Sequence, residues 1–332
     1  MNVGHDEQAQ YHKRITSAMD YIQAHIDQST QNGLHLDAVA HSANMSPFHF
    51  HRVFKSVVGE TVAEYIRRLK LERSAGIFFY FKRAGITEVA IALGFSSSQN
   101  FAKSFKKYFS MTPSDVRALT NKQMLKTLIH HYRKNGNASS ATFSYSNDSH
   151  ITVLDQENMN TETIAQTSIE TTINTINPLT IMNLPARSII YKRLIGQYGD
   201  GVQEAAAQLQ AFAIENKLAT GDPLVINWDN PEITSPEKCR TDVSLTMLDG
   251  CQHPSPYNTQ TIESNSHAVI RGIFDLNFDY EQAWGLLFSE LFKQGCVPLD
   301  TPCYKVMHLA TSDPMQGLFD ISFCQAVGAK NS

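Results

Sequence analysis

Phenylalanine recurs at every fourth position in the segment GFSSSQNFAKSFKKYFSMTP, residues 94–113. In a helix, Phe101, Phe105 and Phe109 fall on one side and form an apolar stripe. The opposite side carries amides and lysines. Such a side is either an ordinary solvated surface or a surface that contacts a polyanion, and the pattern of this one helix fits both.

The same pattern occurs a second time, about 51 residues upstream. Within LHLDAVAHSANMSPFHFHRVFKSVVGETVAEYIRR, residues 34–68, Phe50 and Phe54 correspond to Phe101 and Phe105. Each copy indicates a helix, a tight turn and a second helix, so the repeat predicts two helix-turn-helix units. Two matched polar rows favour contact with a polyanion over a surface that is merely solvated.

A single helix is predicted between the two units. The segment TVAEYIRRLKLERSAGIFFYFKR, residues 61–83, is long enough for about 20 helical residues, which span about 30 Å at about 1.5 Å per residue. Adjacent major-groove faces of B-DNA lie about 34 Å apart. One such helix would therefore place the second helices of both units in successive grooves of one duplex, without a dimer.

The candidate DNA contacts are the outward side chains of the two second helices. They are Phe48, His51, Arg52 and Lys55 in the first unit, and Gln99, Asn100, Lys103, Lys106 and Lys107 in the second. Gln and Asn can pair bidentately with adenine and Arg or Lys with guanine, while Lys also contacts phosphates. A helical bundle with a solvated basic surface is the alternative interpretation.

The amino-acid composition of the chain changes after residue 134. Residues 135–177 are rich in Asn, Ser and Thr and sustain no apolar stripe, which predicts a linker with one short strand near HITVL, residues 150–154. Beyond this segment, a strand, a helix and two strands are predicted twice in succession. We therefore expect a second domain with a different architecture.

Matched positions indicate that this second domain is duplicated. Pro223 and Pro302 are 79 residues apart, and Asp242 and Asp320 are 78 residues apart. The spacing fits two copies of one supersecondary unit. The predicted protein is multidomain: an all-α domain at 1–120 with two helix-turn-helix units joined by a long helix, a polar linker at 121–177, and an α+β domain at 178–332 built from a duplicated strand-helix-strand-strand unit with a cleft between its halves.

Charge divides the chain at the same place. Residues 1–135 contain 18 basic and 10 acidic residues, a net charge of +8, whereas residues 136–332 contain 10 and 22, a net charge of −12. Such an asymmetry between halves indicates a nucleic-acid-binding or membrane-facing part joined to a part with another role.

Several classes of protein are disfavoured. No run of 18 apolar residues is present and the N-terminus has no apolar signal core, so we expect no membrane span, no membrane partner and a cytoplasmic location. Five irregularly spaced cysteines indicate reduced thiols. Cys251 and His253 could supply two metal ligands, but no second pair at zinc-like spacing follows, so no metal or cofactor is predicted.

Residues 11–120 resemble the AraC/XylS family of transcription regulators, whose DNA-binding domain has two helix-turn-helix units joined by a long helix. The resemblance is carried by LDAVAHSANMSPFHFHRVFKSVVGETVAEYI and by ITEVAIALGFSSSQNFAKSFKKYFSMTPSDVR. It implies that the first outward row lies in one major groove and that Gln99, Asn100 and Lys103 lie in the next. Double-stranded DNA is therefore the expected partner, with RNA polymerase as a further candidate.

Residues 178–328 resemble the GyrI-like effector-binding domain, and WDNPEITSPEKCRTDVS is the most characteristic run. In that family, the cleft between the two repeats binds small, often hydrophobic and cationic molecules. Aromatic walls suit this task because rings offer flat apolar area and attract cations at their faces. The candidate effector contacts are Tyr191, Tyr198, Trp228, Phe274, Trp284, Tyr304 and Lys305, and the alternative for each ring is an ordinary core position.

The sequence around Lys305 differs from the pattern of the GyrI-like family. Related cation-binding pockets use a glutamate on the strand that begins near Pro302, whereas TPCYKVMHLA has no acid and carries Lys305. A lysine repels a cation unless it extends to water, so a neutral or anionic ligand becomes plausible.

Three roles for the C-terminal domain remain open. The favoured one is a small-molecule sensor without catalysis, so no enzyme is predicted. A docking module for another regulator or RNA polymerase is the second. A weak hydrolase is the third, because Cys251, His253 and Cys303 offer a nucleophile and a base.

Overall fold

The computed structural model describes residues 3–26, 34–134, 174–248, 255–299 and 301–328. The strand expected near residues 150–154 lies outside the described residues, as do Cys251 and His253.

The described elements before residue 135 are helices. In chain order they are α1 (Val3–His25), α2 (Leu36–Ser42), α3 (Pro47–Val58), α4 (Val62–Tyr80), α5 (Ile86–Ala92), α6 (Ser98–Phe109), α7 (Pro113–Ala118) and α8 (Lys122–Lys134). The two helix-turn-helix units are α2 with α3 and α5 with α6, and α4 is the predicted linking helix.

Matching local signals begin and end the helices of the two units. Thr61 at the start of α4 and Thr112 at the start of α7 each form a capping box with the acidic residue three positions later. The helices α3 and α6 both end in a left-handed residue, Gly59 at φ 81° and Ser110 at φ 57°. The shared caps explain why the same helix pattern recurs in both segments.

Each unit has its own core, and α4 contributes to both. Phe50 and Phe54 are fully buried with Tyr65 of α4 in the first core. Phe101 and Phe105 are fully buried in the second core, beside residues from the C-terminal half of α4. The predicted phenylalanine stripes are thus core stripes, and α4 joins the two units through packing as well as through the chain.

The C-terminal part is a sheet with two helices. Its elements are β1 (Thr175–Ile176), β2 (Thr180–Leu184), β3 (Arg187–Ile195), α9 (Val202–Glu215), β4 (Thr220–Asn227), a 3-10 helix (Pro236–Lys238), β5 (Arg240–Met247), β6 (Asn258–Ile262), β7 (Asn265–Phe274), α10 (Tyr280–Lys293), β8 (Val297–Pro298), β9 (Cys303–Met307) and β10 (Phe319–Gly328).

The strand order is β1-β7-β10-β9-β4-β5-β3-β6, with β2 also paired to β7 and β8 to β10. The antiparallel pair β4–β9 lies at the middle, where Val225 is opposite Lys305 and Ile226 is opposite Tyr304. Helices α9 and α10 cover one face of the sheet, each over its own half. The opposite face buries a separate cluster that includes Leu224. We call these the helix face and the open face.

Two boundaries differ from the sequence-based expectation. The segment expected to begin the linker at residue 121 contains α8, whose Leu125 and Ile129 are fully buried in the second helical core. The C-terminal sheet begins at Thr175, because β1 pairs with β7 before residue 178. Packing against distant elements orders both segments, and local composition does not reveal it. None of the described helices is both long and apolar enough to cross a membrane.

Candidate nucleic-acid interface and ligand sites

The first outward row lies on α3, on the side opposite the buried phenylalanines. Phe48, Arg52 and Lys55 are exposed and His51 is half-buried. Phe48 is 76% exposed, and the Arg52 guanidinium lies 6.0 Å from the centre of its ring.

The second outward row lies on α6. The side chains of Gln99, Asn100, Lys103, Lys106 and Lys107 are all exposed. Asn100 Nδ2 donates to Ser96 Oγ at 2.7 Å, which orients the amide at the start of the helix. The two lysines of the last turn complement the helix dipole and leave their ammonium groups in solvent.

Helix α4 holds the two rows apart. Its 19 residues span about 28 Å at about 1.5 Å per residue. At its middle, Arg68 is buried and pairs with Glu60 at 2.7 Å and with Glu72 at 3.0 Å. Burial opposes the charge, but Glu72 and Glu60 outweigh it and raise the pKa of Arg68. Removal of one partner would leave an uncompensated buried charge, so substitution of any of the three residues should be strongly destabilising.

The candidate effector residues do not share one surface. Tyr191, Trp228 and Tyr304 belong to the cluster on the open face of the sheet, whereas Phe274 and Trp284 pack against or within the core beneath α10. Tyr191, Phe274 and Tyr304 are at most 3% exposed. The structure therefore distributes these rings between two faces, and three of them are core residues of the domain.

The ring of Trp228 lies close to two arginines. The guanidinium carbon of Arg193 lies 5.0 Å from its ring centre and that of Arg240 lies 5.6 Å away. Its indole Nε1 donates to Asp242 Oδ2 at 2.7 Å. Asp242 is fully buried and also accepts two 2.7 Å hydrogen bonds from Arg193. The Trp228 ring thus lies close to two protein cations, whereas the resemblance implied that it contacts a ligand.

The remaining open-face rings have protein partners as well. The Tyr191 hydroxyl donates to the Asp20 carboxylate of α1. The Tyr304 hydroxyl is 3.1 Å from His267 Nε2, and burial lowers the pKa of His267. The hydroxyl of Tyr198 donates to the carbonyl oxygen of Asp229.

Lys305 lies on the helix face of β9, beside Cys303. Its ammonium is 4.2 Å from the ring centre of Tyr280, at the start of α10. Burial lowers the pKa of Lys305 to about 8. In the described ranges, no carboxylate forms a salt bridge with it. It is a desolvated amine held against an aromatic ring, near the middle of the sheet.

The thiols of Cys303 and Cys324 are poor nucleophiles. Burial raises the pKa of Cys303 to about 12 and that of Cys324 to about 12, so both are protonated at neutral pH. Among the residues that the structure describes, no group of three potential ligands could hold a metal ion.

Two buried arginines join the C-terminal sheet to α1 and α4 of the helical domain. Arg193 Nη1 lies 2.8 Å from Asp20 Oδ1 of α1. Arg240 pairs with Asp229 at 2.7 Å, and its Nη1 donates to Gln23 Oε1 at 3.1 Å and to the Tyr65 hydroxyl at 3.0 Å. These contacts were not predicted, although Asp229, Arg240 and Asp242 all belong to the run WDNPEITSPEKCRTDVS, where clustered charge was the available signal.

The loop between β4 and β5 makes the contact with α4. Thr234 is buried and its hydroxyl donates to Glu72 Oε2 at 2.9 Å. Ile233 is 2% exposed and packs in the second helical core. The Tyr80 hydroxyl, at the end of α4, donates to Glu232 Oε2 at 3.2 Å. The C-terminal domain therefore packs directly on the helix that spaces the two outward rows.

Comparison with known families gives two matches. Residues 39–119 match a helix-turn-helix domain, and residues 178–318 match the GyrI-like small molecule binding domain. The first match lies within the helical part and the second within the sheet, and residues 120–177 belong to neither match.

Individual relatives match one part each. The DNA gyrase inhibitor of Yersinia enterocolitica is 30% identical over 152 residues, which are 44% of this chain and 95% of that protein. The regulatory protein SoxS of Salmonella typhimurium is 35% identical over 103 residues, 31% of this chain and 92% of that protein. The right origin-binding protein of Escherichia coli is 35% identical over 103 residues, but the match spans only 34% of its length.

Solved structures are similar over the same parts. A regulator with an AraC-type DNA-binding domain from Chromobacterium violaceum is 27% identical, with a TM-score of 0.29, over 32% of this chain and 89% of that chain. The C-terminal domain of EcmrR is 10% identical, with a TM-score of 0.38, over 46% of this chain and 97% of that chain.

Proposed function

This chain belongs to the AraC-type transcription regulators that carry a GyrI-like domain, and we propose that it reads a specific DNA sequence across two successive major grooves under the control of a small molecule. DNA binding and transcription regulation follow from the family. Sequence specificity, the reading residues and the sensing of an effector are the steps that we propose.

The observation that supports two-groove reading is the placement of the outward rows. Both rows are exposed on helices whose opposite sides are fully buried, and α4 contributes to both cores. Phe48, His51, Arg52 and Lys55 read the first groove, and Gln99, Asn100 and Lys103 the second. Lys106 and Lys107 contact phosphates. An amide can pair bidentately with adenine and a guanidinium with guanine. We therefore expect Asn100 and Arg52 to contribute most to base specificity.

The proposed sensor is the C-terminal domain, interpreted as a duplicated unit. A repeated ion pair supports the duplication: Arg193 pairs with Asp242 at 2.7 Å, and Arg271 pairs with Asp320 at 2.6 Å. Both residues of the second pair lie 78 positions after those of the first. The proposed cleft lies on the helix face between the two halves, where β4 pairs with β9 and Lys305 is opposite Val225.

Lys305 sets the expected charge of the effector at that cleft. Its ammonium is half protonated near pH 8 and lies 4.2 Å from the ring centre of Tyr280. A lipophilic cation would place a second positive charge beside a desolvated one. We therefore propose a neutral or anionic effector there, with Tyr280 and Trp284 on the α10 side of the cleft. No catalytic step is proposed, since the Cys303 thiol is protonated.

A second candidate role is protein docking. It is favoured by one relative, because the chain covers nearly all of a protein named a DNA gyrase inhibitor. In that role, the C-terminal domain would bind gyrase, another regulator or RNA polymerase. Pull-down of purified gyrase and of purified RNA polymerase by the immobilised full chain would separate this role from small-molecule sensing.

The test of DNA reading is selection of bound duplexes from a random-sequence pool by the full chain. We expect one motif with two half-sites centred about one helical turn, roughly 10 base pairs, apart. A thermal-shift screen of the full chain against small molecules tests the sensor. Enrichment of no sequence would contradict specific reading, and the absence of any shift would contradict sensing, independently of each other.

A further inference from the structure

A cavity of about 340 Å³ lies between the helical domain and the end of the sheet. We call it the interdomain cavity. Its helical wall includes Gly76, Ile77 and Tyr80 of α4, and its C-terminal wall includes Trp228, Ile233 and Leu299. Sites for small ligands have volumes of about 300–1,000 Å³ and occur preferentially at domain interfaces. Lys305 does not line this cavity, which is therefore separate from the proposed cleft.

Gly76 is the second observation that points to a ligand. It lies inside α4, where glycine costs about 1 kcal/mol relative to alanine. A Cβ at this position would contact only Ile233 Cδ1, at an ordinary distance of 3.7 Å. Neither a left-handed backbone nor a close approach requires glycine here. The absence of a side chain at Gly76 leaves the cavity unfilled on the α4 side, because any larger side chain there would extend into it.

The polar groups of the lining are already partnered. Asp229 forms a bidentate pair with Arg240. Glu72 pairs with Arg68 and accepts from Thr234. The Gln325 amide donates to two backbone carbonyls. The acidic side chains of the lining, Glu72 and Asp229, are matched in number by Arg73 and Arg240.

This lining decides the class of ligand. An ion that entered the cavity would lose its hydration without gaining a free counter-charge, so charged molecules are disfavoured. The rings of Tyr80 and Phe81 offer flat apolar surface instead. An uncharged, flat and largely apolar molecule fits both conditions.

We propose that the interdomain cavity binds an uncharged, flat, apolar molecule that contacts α4 and the C-terminal domain at the same time. Such a molecule binds the docked arrangement better than a separated one, so it shifts the population towards docking. Because α4 sets the spacing of the two outward rows, occupancy of the cavity would restrict the range of half-site spacings that the protein accepts.

The test uses the full chain and two matched dyes. N-phenyl-1-naphthylamine is uncharged, and 8-anilino-1-naphthalenesulfonate has the same rings with one added sulfonate. We expect saturable fluorescence enhancement by one equivalent of the uncharged dye. Binding of the sulfonate should be weaker by about tenfold or more, because both arginines among the described lining residues already have partners.

Cavity-filling variants locate the dye. Gly76→Leu places a side chain in the cavity and should weaken binding of N-phenyl-1-naphthylamine by about tenfold or more. Gly76→Ala is the matched control and should bind the dye within about twofold of the wild type, because its methyl has room. Leu299→Trp fills the cavity from the opposite wall and should reproduce the effect of Gly76→Leu.

Circular dichroism and DNA affinity without dye show whether each variant is folded, and they report on the proposed DNA reading separately. Full-strength dye binding by folded Gly76→Leu and Leu299→Trp would overturn the proposal. Equal affinity for the two dyes would also overturn it. If Lys305→Met removes binding of the uncharged dye while both filling variants retain it, the dye occupies the cleft and the proposed site is wrong.

Discussion

The guanidinium of Arg193 in β3 lies 2.8 Å from the carboxylate of Asp20 in α1, and it forms two 2.7 Å hydrogen bonds with Asp242 in the same sheet. Arg193 thus contacts one carboxylate in the C-terminal domain and a second carboxylate in the DNA-binding domain. Trp228 covers its flat side at 5.0 Å. A change in the sheet near Trp228 would therefore reach α1 without an intervening flexible segment.

The two acids should contribute unequally to stability. Asp242 is fully buried and Asp20 is about a third exposed at its side chain. Asp242→Ala leaves Arg193 buried without its bidentate partner and should lower the free energy of unfolding by about 3–5 kcal/mol. Asp20→Ala leaves that pair intact and should cost about 1 kcal/mol. Urea unfolding of the full chain measures both, and similar losses would contradict this division of roles.

Substitutions of residues that contact bases and of residues that contact phosphates should affect DNA affinity differently. Arg52→Ala should cost about 1–3 kcal/mol at the selected site and relax base preference at one position. Lys107→Ala should weaken binding to all sequences alike and reduce the salt slope by about one unit. Fluorescence anisotropy with specific and random duplexes measures both effects. Small and equal losses for both variants would mean that these rows are merely solvated.

The DNA-binding fragment should need α8. A fragment of residues 1–134 should bind DNA with a strong salt dependence, because phosphate neutralisation releases counterions. A fragment of residues 1–120 lacks Leu125 and Ile129, which are fully buried, and should be less stable by several kcal/mol at about 2–5 kcal/mol for each large core side chain removed. Thermal unfolding compares the two fragments. A fragment of residues 174–332 is the control, for which we expect no DNA affinity.

Lys305 should make stability depend on alkaline pH. Its pKa falls from 10.5 to about 8 on folding, so the unfolded chain holds more protons between these values. Stability therefore rises with pH across this window and is lost as pH falls through about 8. Lys305→Met should remove this slope and stabilise the protein at pH 7 by roughly 1–3 kcal/mol. Urea unfolding at pH 7 and pH 9 tests this, with the exposed Lys103→Met as control, and an unchanged slope in Lys305→Met would contradict it.

The same residue should decide the charge of ligands in the cleft. A unit charge about 4 Å away at an effective dielectric constant near 20 is worth about 4 kcal/mol before relaxation and screening. Even a quarter of that energy changes affinity several-fold, since about 1.4 kcal/mol is tenfold. Lys305→Glu should therefore improve binding of lipophilic cationic dyes. Titrations at low and high salt measure the gain, and tight binding of such dyes by the wild type would rule out the proposed preference.

The sequence by itself determined the helical repeat and its two-sided helices. A helix brings every fourth residue to one side, so the spacing of Phe50, Phe54, Phe101 and Phe105 identifies the buried side from local pattern alone. The outward rows follow from the same periodicity. The family resemblance of both parts was also contained in short continuous runs, and the comparisons confirm it.

The tertiary structure decided where the candidate effector side chains lie. Successive residues of a strand point to opposite faces, so Tyr304 and Lys305 belong to different surfaces although they are adjacent. Which face α9 and α10 cover depends on strand order and register, and these join residues far apart in sequence. The contacts of Arg193 with Asp20 and of Arg240 with Tyr65 span more than 170 positions. No local periodicity encodes such pairs, because they exist only once two separately folded cores have packed together.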